Sequence, residues 1–148
     1  KLICSSLAEK IKNSFNNIDI ILSPAMGGVI VGYEIARQLK IKHFFVERVD
    51  KNFHLRRGFV IEPESNVLII EDVITTGKSA LECFELVKKY KAKVLGYACI
   101  IDRSNEKLLI KDKIISQIKL NILTFKPSEI PNDLAKIPTS VPGSRNIS

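Results

Sequence analysis

Four apolar residues in succession, Val67-Leu68-Ile69-Ile70, lead directly into two acids, Glu71-Asp72, and then into Val73-Ile74-Thr75-Thr76-Gly77-Lys78-Ser79. An apolar run this short and unbroken marks a strand buried on both faces, which needs a layer of helix on each side of its sheet. A turn-like stretch at residues 63–66 precedes it, and Ala80, Cys83, Phe84 and Val87 follow at the spacing of one helical face. Strand, acid pair, hydroxyl-rich turn and amphipathic helix are therefore expected in register.

The flanking segments repeat this alternation. Ile3, Leu7, Ile11 and Phe15 fall four apart and predict a helix over residues 1–15, after which residues 18–22 form a β-branched run ending at Ser23-Pro24. Gly27-Gly28 breaks the chain before a second helix that reaches about Leu39, with Val29, Gly32, Tyr33 and Ala36 on one face. Residues 43–46 predict another strand, residues 59–61 a short one that pairs back, residues 94–101 a strand ending at Asp102-Arg103, and residues 114–118 the last. Residues 47–57 are polar, basic and without periodicity, so an exposed, mobile connection is expected there. Four prolines beyond Lys126 predict an irregular tail over about residues 127–148.

Strands alternating with helices imply an α/β fold with a mostly parallel central sheet flanked by helices, and residues 1–148 are expected to form a single domain. In such sheets ligands bind outside the carboxyl ends of the strands. Three strand ends carry unusual residues, Ser23-Pro24-Ala25-Met26-Gly27-Gly28, Glu71-Asp72 and Asp102-Arg103, and all three are expected to converge on one edge.

Length and composition bound the function. With 148 residues, 45% of them hydrophobic, the chain can bury one core. The formal charge of +7 suits nucleic acid, a membrane surface or a polyphosphate metabolite, and charge alone does not choose among them. The lysines are dispersed and, Arg56-Arg57 apart, no arginine block or aromatic-interleaved basic stripe is present, so nucleic acid ranks behind a small anion. No stretch approaches the roughly twenty apolar residues of a membrane span, and residues 1–10 lack a signal-peptide layout, so a soluble, cytoplasmic protein with no membrane partner is expected. Cys4, Cys83 and Cys99 show no CxxC spacing or histidine partner, which points to neither a disulfide framework nor a zinc site.

The acid-to-hydroxyl segment carries the chemistry. Backbone N–H groups and Thr or Ser hydroxyls at a helix start favour a phosphate, and Gly77 allows close approach of the backbone. Acids beside an anion site fit a sugar phosphate, whose hydroxyls donate to carboxylates while its phosphate lies on the loop. The plainer reading is a solvated acid pair followed by a turn that only caps a helix. A Walker loop is the nearest rival, but the upstream glycine of GxxxxGK[ST] is absent.

These residues resemble the phosphoribosyl pyrophosphate signature of the type I phosphoribosyltransferase family, a Rossmann-like fold. Ser23-Pro24-Ala25-Met26-Gly27-Gly28 is similar to that family's pyrophosphate loop, and Leu55-Arg56-Arg57-Gly58-Phe59 to the segment after its catalytic loop. Residues 137–138 and Pro142-Gly143-Ser144-Arg145 are similar to the tail of its bacterial orotate-using members. The resemblance implies Mg²⁺-dependent transfer of ribose 5-phosphate from phosphoribosyl pyrophosphate to orotate, giving orotidine 5′-monophosphate and pyrophosphate in pyrimidine biosynthesis. A purine-type phosphoribosyltransferase, or a non-catalytic regulator of this fold that binds nucleic acid, are the alternatives.

By what the resemblance implies, Glu71 and Asp72 hold the ribose hydroxyls and act in catalysis with Lys51. Val73, Ile74, Thr75, Thr76, Gly77, Lys78 and Ser79 hold the 5-phosphate, while Ala25, Met26, Gly27 and Arg48 meet the pyrophosphate. Thr75 and Arg103 contact orotate, a role to which a guanidinium suits the base's carboxylate. Without the resemblance, Asp102-Arg103 reads as a surface ion pair. Mg²⁺ is implied as bound through the phosphoribosyl pyrophosphate, with no protein ligand of its own. The family further implies a homodimer in which the loop of residues 47–57 reaches the neighbouring site. In that loop Glu47 and Phe53 stand where many members are basic, His54 lies one place from the expected histidine, and His43 is expected to be structural. Family members carry a hood ahead of the helix with which this sequence opens, so the expectation is either a longer parent chain or a base less completely covered.

Overall fold

The structure is a computed structural model that describes residues 2–123 and 125–138. The tail motif at residues 142–145 lies outside the described residues. Helix α1 spans Leu2–Lys12, and strand β1, Ile20–Pro24, leads into α2, Gly27–Leu39. Strands β2, Lys42–Val49, and β3, Asn52–Leu55, are followed by β4, Asn66–Ile74, then by α3, Lys78–Lys89. Strands β5, Lys93–Asp102, and β6, Ile114–Lys119, complete a six-stranded sheet of order β3-β2-β1-β4-β5-β6. All pairings are parallel except β2 with β3.

β4 shows why its sequence is so apolar. Val67 and Ile69 belong to the core cluster that includes Ala80, Cys83 and Val87 of α3, whereas Leu68 and Ile70 join Leu7, Ile11 and Ile35 of α1 and α2 on the opposite face. Alternate residues of one strand thus fill two cores, and no polar position is left in the run. Because β1 is followed by β2 on one side and β4 lies on its other side, the loops leaving β1 and β4 diverge. That divergence opens a crevice at the carboxyl edge of the sheet.

Several expectations require correction. Ile3 is 55% exposed, so the α1 stripe buries only Leu7, Ala8 and Ile11. On α2 the inner face is Gly28, Gly32, Ile35 and Ala36, and Tyr33 points outward, because the two glycines let the helix backbone close on the residues beneath it. Residues 59–61 form no strand; the Phe59 ring stacks on Phe44 with centroids 4.8 Å apart, and Ile61 is buried.

Residues 47–57 depart furthest from expectation. In place of an irregular connection, β2 continues to Val49 and turns through Asp50 and Lys51 into β3, with Val49 opposite Asn52 and Arg48 opposite Phe53. Asp50 and Lys51 have φ of 46° and 68°, the backbone of a two-residue primed turn whose twist matches the strands it joins. Phe53 is buried against the α3-side core and anchors this arm. Residues 127–138 carry the 3-10 turn Pro127–Glu129 and the short helix α4, Asn132–Ala135, all exposed, and the rest of the expected tail lies outside the described residues. Among the described residues no helix is long and apolar enough to cross a membrane.

Candidate functional site

The parallel register carries the three strand ends to one edge as expected: Pro24 lies beside Val46, and Ile74 beside Asp102. β4 runs on past the acid pair to Ile74, so Glu71 and Asp72 emerge from a strand still fixed on its β5 side. There a cleft of about 710 Å³ is lined by Arg48, Lys51, Glu71, Asp72, residues 73–79, Glu82 and Arg103. It therefore unites the acid pair, the whole hydroxyl loop, both basic residues assigned to the arm and the arginine at the end of β5.

The loop is shaped by its glycine and its contacts. Gly77 is the N-cap of α3 with φ of 74°, and a Cβ there would lie 2.7 Å from the side chain of Ile110. Both the left-handed backbone and the tight packing call for glycine. Leu109 donates its backbone N–H to the Thr76 carbonyl at 3.0 Å, and Arg103 N–H to the Ile74 carbonyl at 2.8 Å, so the loop is braced by the chain after β5. The first turn of α3 holds no acid and has no side-chain cap. Its N–H groups and the positive end of the helix dipole accordingly face the cleft as an anion-binding surface.

Asp72 is positioned from behind. Its Oδ1 accepts the Val73 N–H at 2.9 Å, and Gly27 leaves space for the carboxylate that a side chain would fill. Ala25, Met26 and Gly27 are not among the lining residues; Gly27 stands against Asp72, and Met26 is 80% exposed. The Ala25–Met26 peptide is cis.

The basic side has its own order. Arg48 donates to Glu82 Oε2 at 2.6 Å and to the Lys51 carbonyl, and its guanidinium lies 4.1 Å above the Phe53 ring centroid. Glu82, which sequence reasoning passed over, sits one helical turn beyond Lys78; the i, i+4 spacing was the signal that would have placed it on the cleft side of α3. Arg103 is exposed in the cleft, whereas Asp102 is buried, accepts the Ser104 N–H at 2.8 Å and pairs with Lys119 at 3.6 Å. Arg57 pairs with Glu47 and lies away from the lining. His43 Nε2 lies 3.3 Å from the buried Ser23 Oγ, beneath the loop that leaves β1, in keeping with a structural role. His54 is exposed on β3.

An uncapped helix start, two carboxylates and the cations Arg48, Lys51 and Arg103 thus line one cleft. Comparison with known proteins gives the family of the chain. The phosphoribosyl transferase domain family model matches residues 1–131. A protein of Parvibaculum lavamentivorans named orotate phosphoribosyltransferase is 44% identical over 98% of this chain and 75% of its own length. One of the same name from Methylorubrum extorquens is 46% identical over 97% of this chain and 74% of its own. Among solved structures, adenine phosphoribosyltransferase of Thermoanaerobacter pseudethanolicus superposes with a TM-score of 0.68 at 21% identity, covering 80% of this chain and 79% of that one, a likeness of fold. With that fold, that cleft and relatives that align along nearly its whole length, the chain belongs to the phosphoribosyltransferase family.

Proposed function

We propose that this chain is an orotate phosphoribosyltransferase, transferring ribose 5-phosphate from phosphoribosyl pyrophosphate to orotate with release of pyrophosphate, a step of pyrimidine nucleotide synthesis. The observation that carries the reading is one cleft holding Glu71, Asp72, the loop of residues 73–79 and Arg103, in a chain whose relatives at more than 40% identity bear that name. The purine-type alternative draws on solved structures whose likeness is one of fold.

In this reading the loop N–H groups and the hydroxyls of Thr75, Thr76 and Ser79 hold the 5-phosphate, and Glu71 and Asp72 accept from the ribose hydroxyls. The bond from the anomeric carbon to the pyrophosphate oxygen breaks as a ring nitrogen of the base bonds to that carbon. The reacting centre passes through an oxocarbenium-like state, so positioning and charge stabilisation supply the rate. Arg48 and Lys51 offset charge gathering on the departing pyrophosphate. Arg103, with Thr75, orients the orotate carboxylate.

Mg²⁺ belongs to the proposal as a cation brought on the diphosphate. It would be carried by the substrate phosphates with no protein ligand of its own, while Glu71 and Asp72 would keep to the ribose hydroxyls. When bound, it would supply charge neutralisation on the pyrophosphate oxygens. The proposal also includes a homodimer in which the arm of residues 47–57 reaches the neighbouring cleft. Met26, Ile30 and Tyr33 support it, being exposed apolar residues spaced along one side of α2 and the loop before it. A cytoplasmic setting is supported by three cysteines that are all free.

The test is pyrophosphate release from phosphoribosyl pyrophosphate and Mg²⁺ with orotate, run beside adenine, hypoxanthine and uracil. Turnover with orotate alone is expected. Turnover with a purine base in its place moves the chain to the purine-using members, and ligand binding without turnover on any base makes it a non-catalytic binder.

A further inference from the structure

Arg48 is the one arm cation whose position is fixed from three directions. Its guanidinium meets Glu82 of α3 at 2.6 Å, lies over Phe53 of β3 and donates to the carbonyl of Lys51 at the turn. The Glu82 carboxylate lines the same cleft as residues 73–79. A carboxylate on the wall of a polyphosphate site is unfavourable on Coulomb grounds alone, since it repels the ligand that the rest of the wall attracts. Its placement has a physical rationale if it acts on Arg48.

We propose that Glu82 is a positioning residue for the diphosphate of the substrate. It holds the Arg48 guanidinium at the cleft wall, so that a cation with many rotamers is already ordered before the anion arrives. The anchor lies close to the turn of the arm, between β2 and α3 of one chain. Its bond to the Lys51 carbonyl ties the turn at Asp50 and Lys51 to the same anchor. This inference rests on the phosphoribosyl reading of the site and does not depend on which base is used.

Glu82→Ala separates the two effects by sign. Removing a negative charge from the cleft wall should tighten anion binding, whereas releasing Arg48 should weaken it. Affinity for phosphoribosyl pyrophosphate and for inorganic pyrophosphate, measured by calorimetry without any base, is expected to fall about fivefold, the scale of a partly exposed charged pair. Glu82→Asp should restore part of it. The loss should vanish in an Arg48→Ala background, and KM for the base should stay within about twofold of the parent. Tighter or unchanged affinity in Glu82→Ala, or full additivity with Arg48→Ala, overturns the proposal. Should the alanine variant fold poorly, Glu82→Gln gives the same comparison with the neutral amide in place. Wild-type protein that binds pyrophosphate but turns over no base would sink the enzymatic reading while leaving this one standing.

Discussion

Gly27 and Asp72 stand so close that a Cβ built on Gly27 would lie 2.2 Å from Asp72 Oδ2 and 2.7 Å from its Cγ. Asp72 has little freedom to yield, because its other oxygen holds the Val73 N–H. The start of α2 is thereby the back wall that aims this carboxylate into the cleft. Gly27→Ala should push it out of line and lower kcat/KM by roughly tenfold to a hundredfold, the range for a misplacement of about an ångström. Gly27 itself is exposed, so the melting temperature should move by no more than a few degrees. An alanine variant with parental activity would show that the carboxylate is not held this way.

Asp72→Asn keeps the shape and the Val73 contact while removing the charge. If Asp72 accepts a ribose hydroxyl, the loss should be about 2 kcal/mol of transition-state stabilisation, or about thirtyfold in kcat/KM. A decrease under twofold in steady-state kinetics would remove Asp72 from the role assigned to it.

How far these residues could be read from sequence depends on how many constraints each one satisfies. β4 was legible because burial on two faces left no polar residue in its run, and the acid pair and Thr-Thr-Gly loop followed in fixed register. The arm was not, since its single buried anchor, Phe53, sits among exposed Asn52 and His54, and its turn is made by Asp50 and Lys51 with no glycine to announce it. Strand order was hidden because it is a property of pairings between distant segments. The inner face of α2 was misjudged by one position, as glycines chosen for close approach carry no hydrophobic signal. Glu82 was passed over for a similar reason: an acid on a helix reads as solvated until its partner on another strand is known.

Lys51 is placed by its backbone as much as by its charge, with φ of 68° at the tip of the arm. Lys51→Gly preserves the turn and deletes the amine, and so is the cleaner variant beside Lys51→Ala. Both should reduce kcat with substrate affinity nearly intact, as expected for a group that acts only as the pyrophosphate departs. A change in affinity alone would make this lysine a ground-state anchor. Mixing Lys51→Ala chains with Asp72→Asn chains tests the reach of the arm. Recovery of activity is expected in mixed dimers, which pair an intact arm with an intact neighbouring cleft, and it should be lost when Ile30→Asp disrupts the exposed face of α2. No recovery would mean that each arm serves its own cleft, where Lys51 already lines the wall.

His43 supplies a prediction about pH. It is half-buried on β2, with Tyr33 and Phe45 around the ring and Nε2 toward Ser23 Oγ, and burial lowers its pKa from the ordinary 6.5. The folded protein thus binds this proton less readily than the unfolded chain. The stability contributed by neutral His43 is therefore full above pH 6.5 and is lost as pH falls from there through the depressed folded value. Melting temperature should decline as the buffer is taken from neutral into the mildly acidic range, before the carboxylates begin to titrate. In His43→Gln, which keeps a polar group toward Ser23 but cannot take up the proton, the decline over that range should flatten. An equal slope in both proteins would place the acid sensitivity elsewhere, and since Ser23 immediately precedes the loop that backs Asp72, a parallel loss of activity in the parent alone would tie this histidine to the geometry of the cleft.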